Sequence, residues 1–194
     1  DLNYILLGKI VEAVTKDTYE RAVSELFSVC GMKNSGYPNG AIQSSLVNGF
    51  HFSENKEEIS KYIISKDRVP AAGLVSTVSD LAIWNEKLHG GELLKPETYQ
   101  TMISYNILSQ HNVFGEKAIG YGYGIRNIQK EKYKYLGHTG LGDGFSSVNL
   151  YFPENDVSMI VLENEMNANS DLFYKTGITI KKLLLKSNLF NPKQ

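Results

Sequence analysis

The sequence predicts an α+β fold, and three observations predict it. Apolar residues recur at helical spacing through residues 2–30 and again after Thr77. Runs rich in β-branched and aromatic residues, separated by turn formers, fill residues 120–163. A last helical pattern closes the chain. Because the strands follow one another directly in sequence, they read as an antiparallel set rather than as crossover units.

The first helix is marked by Leu2, Leu6, Ile10 and Ala13/Val14. A second follows Asp17, a capping residue with Glu20 three positions on. Its apolar face is Tyr19, Ala22/Val23, Leu26/Phe27 and Cys30, and Gly31 stops it. From Met32 to Val69 the helical period fades and Gly, Asn and Ser accumulate, with short extended pieces such as G-F-H-F at Gly49–Phe52, so this stretch reads as an ordered meander. Thr77 caps the next helix, with Asp80 at its third position and Gly90 and Gly91 at its end. Pro96 opens another, running to about Tyr105, since its missing N–H costs nothing in a first turn. Strands are predicted at Tyr133–Thr139, Gly144–Phe152 and Val157–Glu163, with Pro153–Asp156 turning between the last two. A helix from about Asp171 to Lys186 ends the chain. Residues 1–118 are thus mainly helix and meander, and residues 119–194 strands plus the closing helix.

The 194 residues, 42% hydrophobic and 21% charged, supply enough apolar mass for one globular domain or a large piece of one. A formal net charge of -1 gives no basic footprint for nucleic acid. No apolar run approaches the roughly 20 residues of a membrane-spanning helix. Cys30 is the single cysteine, so no internal disulfide and no thiolate metal cluster can form, and it reads as packing. His51, His89 and His111 are scattered without partners at metal-ligand spacing, and His89 at a helix end fits the helix dipole, so no metal is expected. The chain opens at Asp1 directly into a helix, which reads as the interior of a longer protein.

Two tripeptides compete as a chemical motif. K-T-G at Lys175–Gly177 lies in the closing helix, where Lys175, Thr179, Lys182 and Lys186 form one polar stripe opposite Leu172, Thr176, Ile180 and Leu183/Leu184. Lys175 therefore reads as a solvated lysine, and Gly177 as a weak point or a close packing contact. H-T-G at His138–Gly140 instead ends a strand and precedes the flexible L-G-D-G. Such a strand can hold an acyl group along its backbone. Gly140 permits close approach, Thr139 and His138 can bind an anionic or carbonyl group, and the N–H of Leu141 can act as an oxyanion donor. Tyr121 and Tyr123 either line the same cleft or pack as strand aromatics, and Asp143 either touches substrate or only forms the turn.

Four segments now align with a known family: L-N-Y-I-L-L-G-K-I-V-E-A-V-T, the G-M at Gly31 and Met32, A-A-G-L-V-S-T-V-S-D-L-A-I-W at Ala71–Trp84, and G-H-T-G-L-G-D-G-F-S-S at Gly137–Ser147. In this order they resemble the serine β-lactamase-like family, which groups class C β-lactamases, D-Ala-D-Ala carboxypeptidases, D-aminopeptidases and esterases. The resemblance implies a β-lactamase/transpeptidase-like fold of which this chain is the C-terminal part. His138, Thr139 and Gly140 match the family's third motif, and Asp1 the last position of its Tyr-x-Asn motif. No Ser-x-x-Lys in a suitable context is present, since S-E-N-K at Ser53–Lys56 is polar loop. Two departures stand out. Asp1 replaces an amide donor with a carboxylate that only accepts, and V-C-G-M stands for the usual Pro-Leu-Gly-Met.

The resemblance implies an acyl-enzyme hydrolase acting on a β-lactam, a D-amino-acid peptide or an ester, without cofactor, in an extracytoplasmic or membrane-attached setting. The partner is then a small-molecule or peptide substrate. A non-catalytic relative that keeps the cleft as a binding or regulatory module is the alternative, and an unrelated α+β domain a third. The absent front part implies exposed apolar side chains around residues 2–14, and with them self-association or pairing with the missing N-terminal part.

Overall fold

The computed structural model describes the chain apart from residues 40–43, 54–55, 61–64, 109–112, 115–118, 130–132, 143, 168, 170–173 and 192–194. Asp143, His111 and the middle of S-E-N-K therefore lie outside the described residues, and so does Leu172.

Helix α1 spans Leu2–Thr15 and α2 Tyr19–Cys30. The cap of α2 is Thr18 rather than Asp17: its side chain accepts from the N–H of Arg21, and Gly31, at φ 79°, closes the other end. Val23, Phe27, Cys30 and Met32 build a first core against Trp84, with the Phe27 and Trp84 rings edge to face at 6.5 Å. The face of α1 that packs inward is not the predicted one. Gly8 is buried and Tyr4 and Ile5 are half-buried, whereas Leu2, Leu6 and Ile10 are at least 55% exposed.

The meander contains strands β1 (Gly49–Ser53) and β2 (Lys56–Ser60), an antiparallel pair. A one-turn helix α3 (Val69–Ala72) leads to α4 (Val78–His89) and α5 (Pro96–Ile103). Thr77 caps α4 by accepting from the N–H of Asp80. The Asp80 carboxylate is buried, and it turns away from the helix to accept from Asn34 N at 2.7 Å and Ser35 Oγ at 2.8 Å. One carboxylate thereby ties the meander to the start of α4, its lone pairs satisfied by protein donors.

The strands of the second half are β3 (Ile107–Leu108), β4 (Gly120–Tyr121), β5 (Arg126–Gln129), β6 (Lys134–Gly142), β7 (Phe145–Phe152), β8 (Val157–Glu163) and β9 (Glu165–Asn167). Six form one antiparallel sheet in the order β3-β4-β5-β6-β7-β8, while β9 pairs in parallel with β1 in a second sheet. Residues of β7 alternate between buried and half-buried, as a strand packed more tightly on one face requires. Tyr135, Val148, Leu150, Phe152, Met159 and Val161 make the main core, and Tyr174, Leu184, Leu185 and Phe190 pack on it.

Helix α6 (Lys175–Leu184) covers this sheet, and its orientation corrects the predicted face. Lys175, Thr179, Lys182 and Lys186 do face solvent, but so do Thr176, Ile180 and Leu183. The buried positions are Gly177 and Lys181. A Cβ at Gly177 would sit 2.7 Å from Val148 Cγ2, so the K-T-G glycine marks close helix-to-sheet packing. The ammonium of Lys181 donates to Phe114 O and to Tyr135 Oη, which meets the requirement that a buried cation be hydrogen-bonded.

Candidate active site

The H-T-G residues lie where one neighbour of β6 runs out. Strand β5 pairs with Lys134–Gly137 and ends there, whereas β7 pairs with β6 as far as Gly142. From His138 to Gly142 no strand among the described residues pairs with the edge on the β5 side, which leaves a template onto which an extended acyl or peptide group can add. Gly140 is needed from the other side as well, since a Cβ there would stand 2.5 Å from Ser147 Oγ.

Three elements converge on the start of this open edge. Tyr121 Oη lies 2.9 Å from His138 Nε2, and Tyr4 Oη, from the first turn of α1, lies 2.8 Å from Tyr121 Oη. His138 Nδ1 lies 2.6 Å from Thr139 O. Burial, with Arg126 as a second cause, lowers the His138 pKa to about 4. Burial also raises the Tyr121 pKa, and the hydrogen bond with Tyr4 adds to the shift. Both ring nitrogens of His138 are thus engaged inside the protein.

Arg126 completes the group. It is 6% exposed, its Nη1 donates to Thr139 Oγ1 at 3.1 Å, and its guanidinium carbon lies 5.6 Å from the centre of the Tyr121 ring. Its Nε has no hydrogen-bond partner, and no carboxylate pairs with it among the described residues. Burial lowers its pKa, as it does for any cation taken out of water. A desolvated guanidinium without a counter-ion among the described residues, beside this strand edge, is an attractive position for an anion.

The remaining predicted residues are distributed unevenly. Leu141 is 38% exposed and lines a cavity of about 150 Å³ together with Ser146, Glu163, Glu165, Lys175 and Thr176. Within it Ser146 Oγ donates to Glu163 at 2.8 Å. Asp1 sits at the start of α1 with its carboxylate on Arg68 Nη2 at 3.0 Å, both side chains exposed. Tyr123 is 76% exposed, whereas Tyr121 is half-buried against His138. His89 is not a dipole-stabilised cation. Its ring stacks on Tyr151 at 4.2 Å and its Nδ1 lies 2.8 Å from Tyr99 Oη, and burial lowers its pKa to about 4.

Sequence reasoning missed Arg126 and Tyr4. The signal for Arg126 was a lone charge in I-R-N-I, between two β-branched apolar residues. Tyr4 carried none, because its partner lies 117 residues away.

Comparison with known proteins identifies the family. A family model described as Beta-lactamase matches residues 1–181. Protein flp of Staphylococcus aureus (strain MW2) is 25% identical over 167 residues, covering 84% of this chain and 32% of the relative, so the chain spans about a third of the curated relatives' length. Among solved structures, the octameric penicillin-binding protein homologue from Pyrococcus abyssi is 25% identical with a TM-score of 0.78, covering 96% of this chain and 42% of that one. The D-amino acid amidase from Ochrobactrum anthropi SV3 in complex with L-phenylalanine amide has a TM-score of 0.78 at 19% identity, covering 93% of this chain and 54% of that one, a likeness of fold. Fold and family match agree, and the chain belongs to the Beta-lactamase family, whose fold is shared by penicillin-binding protein homologues and amidases among the serine hydrolases.

Proposed function

We propose that this chain supplies the substrate-binding strand of a serine hydrolase that works through an acyl-enzyme on a β-lactam, a D-amino-acid peptide or an ester. The buried Arg126 on Thr139, with no counter-ion among the described residues, is the observation that carries this reading. Thr139 and Arg126 anchor an anionic group of the substrate, and Gly140 lets the acyl group approach the open edge. The N–H of Leu141 polarises the carbonyl as charge develops on its oxygen. His138 shapes the strand. Asp1, the third position of the Tyr-x-Asn-like motif, accepts hydrogen bonds only, which disfavours substrates that need an amide donor there. The nucleophile and its lysine are supplied from outside residues 1–194.

Intact-mass spectrometry of the full-length parent after exposure to a fluorophosphonate and, separately, to a penicillin tests this. A covalent adduct on a serine outside residues 1–194 is expected with at least one reagent. No adduct with either would leave a binding or regulatory module. Residues 1–194 alone are expected to turn over neither a chromogenic β-lactam nor an ester, and time-dependent hydrolysis by them would overturn the assignment of the nucleophile.

A further inference from the structure

The geometry points to Tyr4 and Tyr121 as positioning residues of the substrate strand: a one-way hydrogen-bond chain from Tyr4 through Tyr121 holds His138 as the neutral Nδ1–H imidazole, so that His138 contributes orientation and no charge. The part played by the strand rests on the function proposed above; the chain of hydrogen bonds does not.

The direction follows from what each atom can do. Thr139 O is a carbonyl oxygen and can only accept, so His138 Nδ1 carries the hydrogen in the contact at 2.6 Å. A second proton on Nε2 would place an imidazolium close to the buried Arg126, with Tyr121 and Tyr4 as the other titratable groups hydrogen-bonded along the chain among the described residues. Two cations sharing one desolvated site repel, and the guanidinium is the one that cannot give up its proton. Nε2 therefore accepts. Tyr121 Oη donates to it, and Tyr4 Oη donates to Tyr121.

Two properties follow. The chain ends on a carbonyl oxygen that has no proton to pass on, so it fixes a ring and carries no proton to the substrate. It also leaves Arg126 as the positive charge of the strand, so recognition of an anion and orientation of the strand fall to different residues. The first turn of α1 and strand β4 are joined to H-T-G through these two hydroxyls, which makes the strand's geometry depend on residues outside the tripeptide.

The test is the long-range ¹H–¹⁵N spectrum of the full chain labelled with ¹⁵N-histidine, the His138 signals being those lost in His138→Gln. The expected result is a pyrrole-type Nδ1 and a pyridine-type Nε2, unchanged from pH 8 to about 5. Tyr121→Phe is expected to remove the Nε2 donor and shift the Nε2 resonance toward that of a free pyridine-type nitrogen, while Thr139 O keeps the hydrogen on Nδ1. Tyr4→Phe should leave the hydrogen on Nδ1 and shift the Nε2 resonance in the same direction by less than Tyr121→Phe does, and no shift at all would remove Tyr4 from the chain. A wild-type spectrum with hydrogen on Nε2 overturns the inference without any variant, as does a Tyr121→Phe spectrum identical to wild type. A null result in the covalent-labelling experiment would overturn the proposed function and leave the tautomer of His138 unaffected, so the two can fail separately.

Discussion

Arg126 Nη1 reaches Thr139 Oγ1 at 3.1 Å from within the sheet, a buried guanidinium held by a hydroxyl rather than by a carboxylate. Burial of an ion without a counter-ion costs several kcal/mol even after relaxation, and removing one is often neutral or stabilising when the replacement packs well. Arg126→Met should therefore leave the chain as stable as wild type or more stable by about 1 kcal/mol in urea denaturation. The same variant in the full-length parent should acylate with penicillin about 10- to 100-fold more slowly, the worth of a charged hydrogen bond. Loss of stability together with unchanged acylation would show Arg126 to be a structural cation.

Helix α6 and strand β7 meet at Gly177 and Val148. Gly177→Ala gains about 1 kcal/mol in helix propensity but drives a methyl into Val148 Cγ2, 2.7 Å from the ideal Cβ, at a buried residue that cannot swing aside. A net loss of about 1–2 kcal/mol is expected. Adding Val148→Ala should recover part of it, and a double-mutant cycle in urea measures the coupling.

His89 and His138 share a pH signature. Each has a folded pKa near 4 against 6.5 for a free imidazole, so the unfolded chain binds protons that the folded chain does not. Stability from these groups is complete above about pH 6.5 and drains away as pH falls through this window toward 4. Two shifts of this size together amount to a few kcal/mol, discounted for partial exposure of His89. His89→Phe, which keeps the stack on Tyr151, should flatten the loss between pH 6.5 and 4 in thermal melts. An unchanged slope would contradict the burial of this ring.

Leu2, Leu6, Ile10 and Val14 leave one side of α1 as an exposed apolar stripe, each at least 55% accessible. Residues 1–194 in isolation should self-associate at concentrations of order 10⁻⁴ M, given a patch of this kind on one helix. Leu6→Glu with Ile10→Lys should abolish the association in sedimentation velocity while changing the urea midpoint little. Monomeric wild type at that concentration would show the stripe to be inert.

How the sequence and structure agree depends on the range of the interactions. Thr77, Gly31 and Pro96 act within a turn of the chain, so their helices were legible, and the strand runs at Gly144–Phe152 and Val157–Glu163 emerged nearly to the residue. Which face of a helix turns inward is decided by the partner. Helix α1 is apolar nearly all round and buries Gly8, while α6 buries a lysine because Phe114 O and Tyr135 Oη await it. The site divided in the same way. H-T-G could be read because it is contiguous, although β6 runs through it to Gly142 instead of ending there, and the importance of Arg126 and Tyr4 comes from contacts 13 and 117 residues distant.

Strand β1 pairs in parallel with β9, bringing Phe50 beside Glu165, and Phe50 N also donates to Asn164 O at 2.9 Å. During synthesis the β1–β2 hairpin leaves the ribosome long before the residues that complete its sheet. Until then it presents an unsatisfied edge in a nascent chain, the kind of edge that recruits foreign strands. Translation speed over the second half of the message, and chaperone occupancy of the first, would then decide how much of this protein reaches its native form.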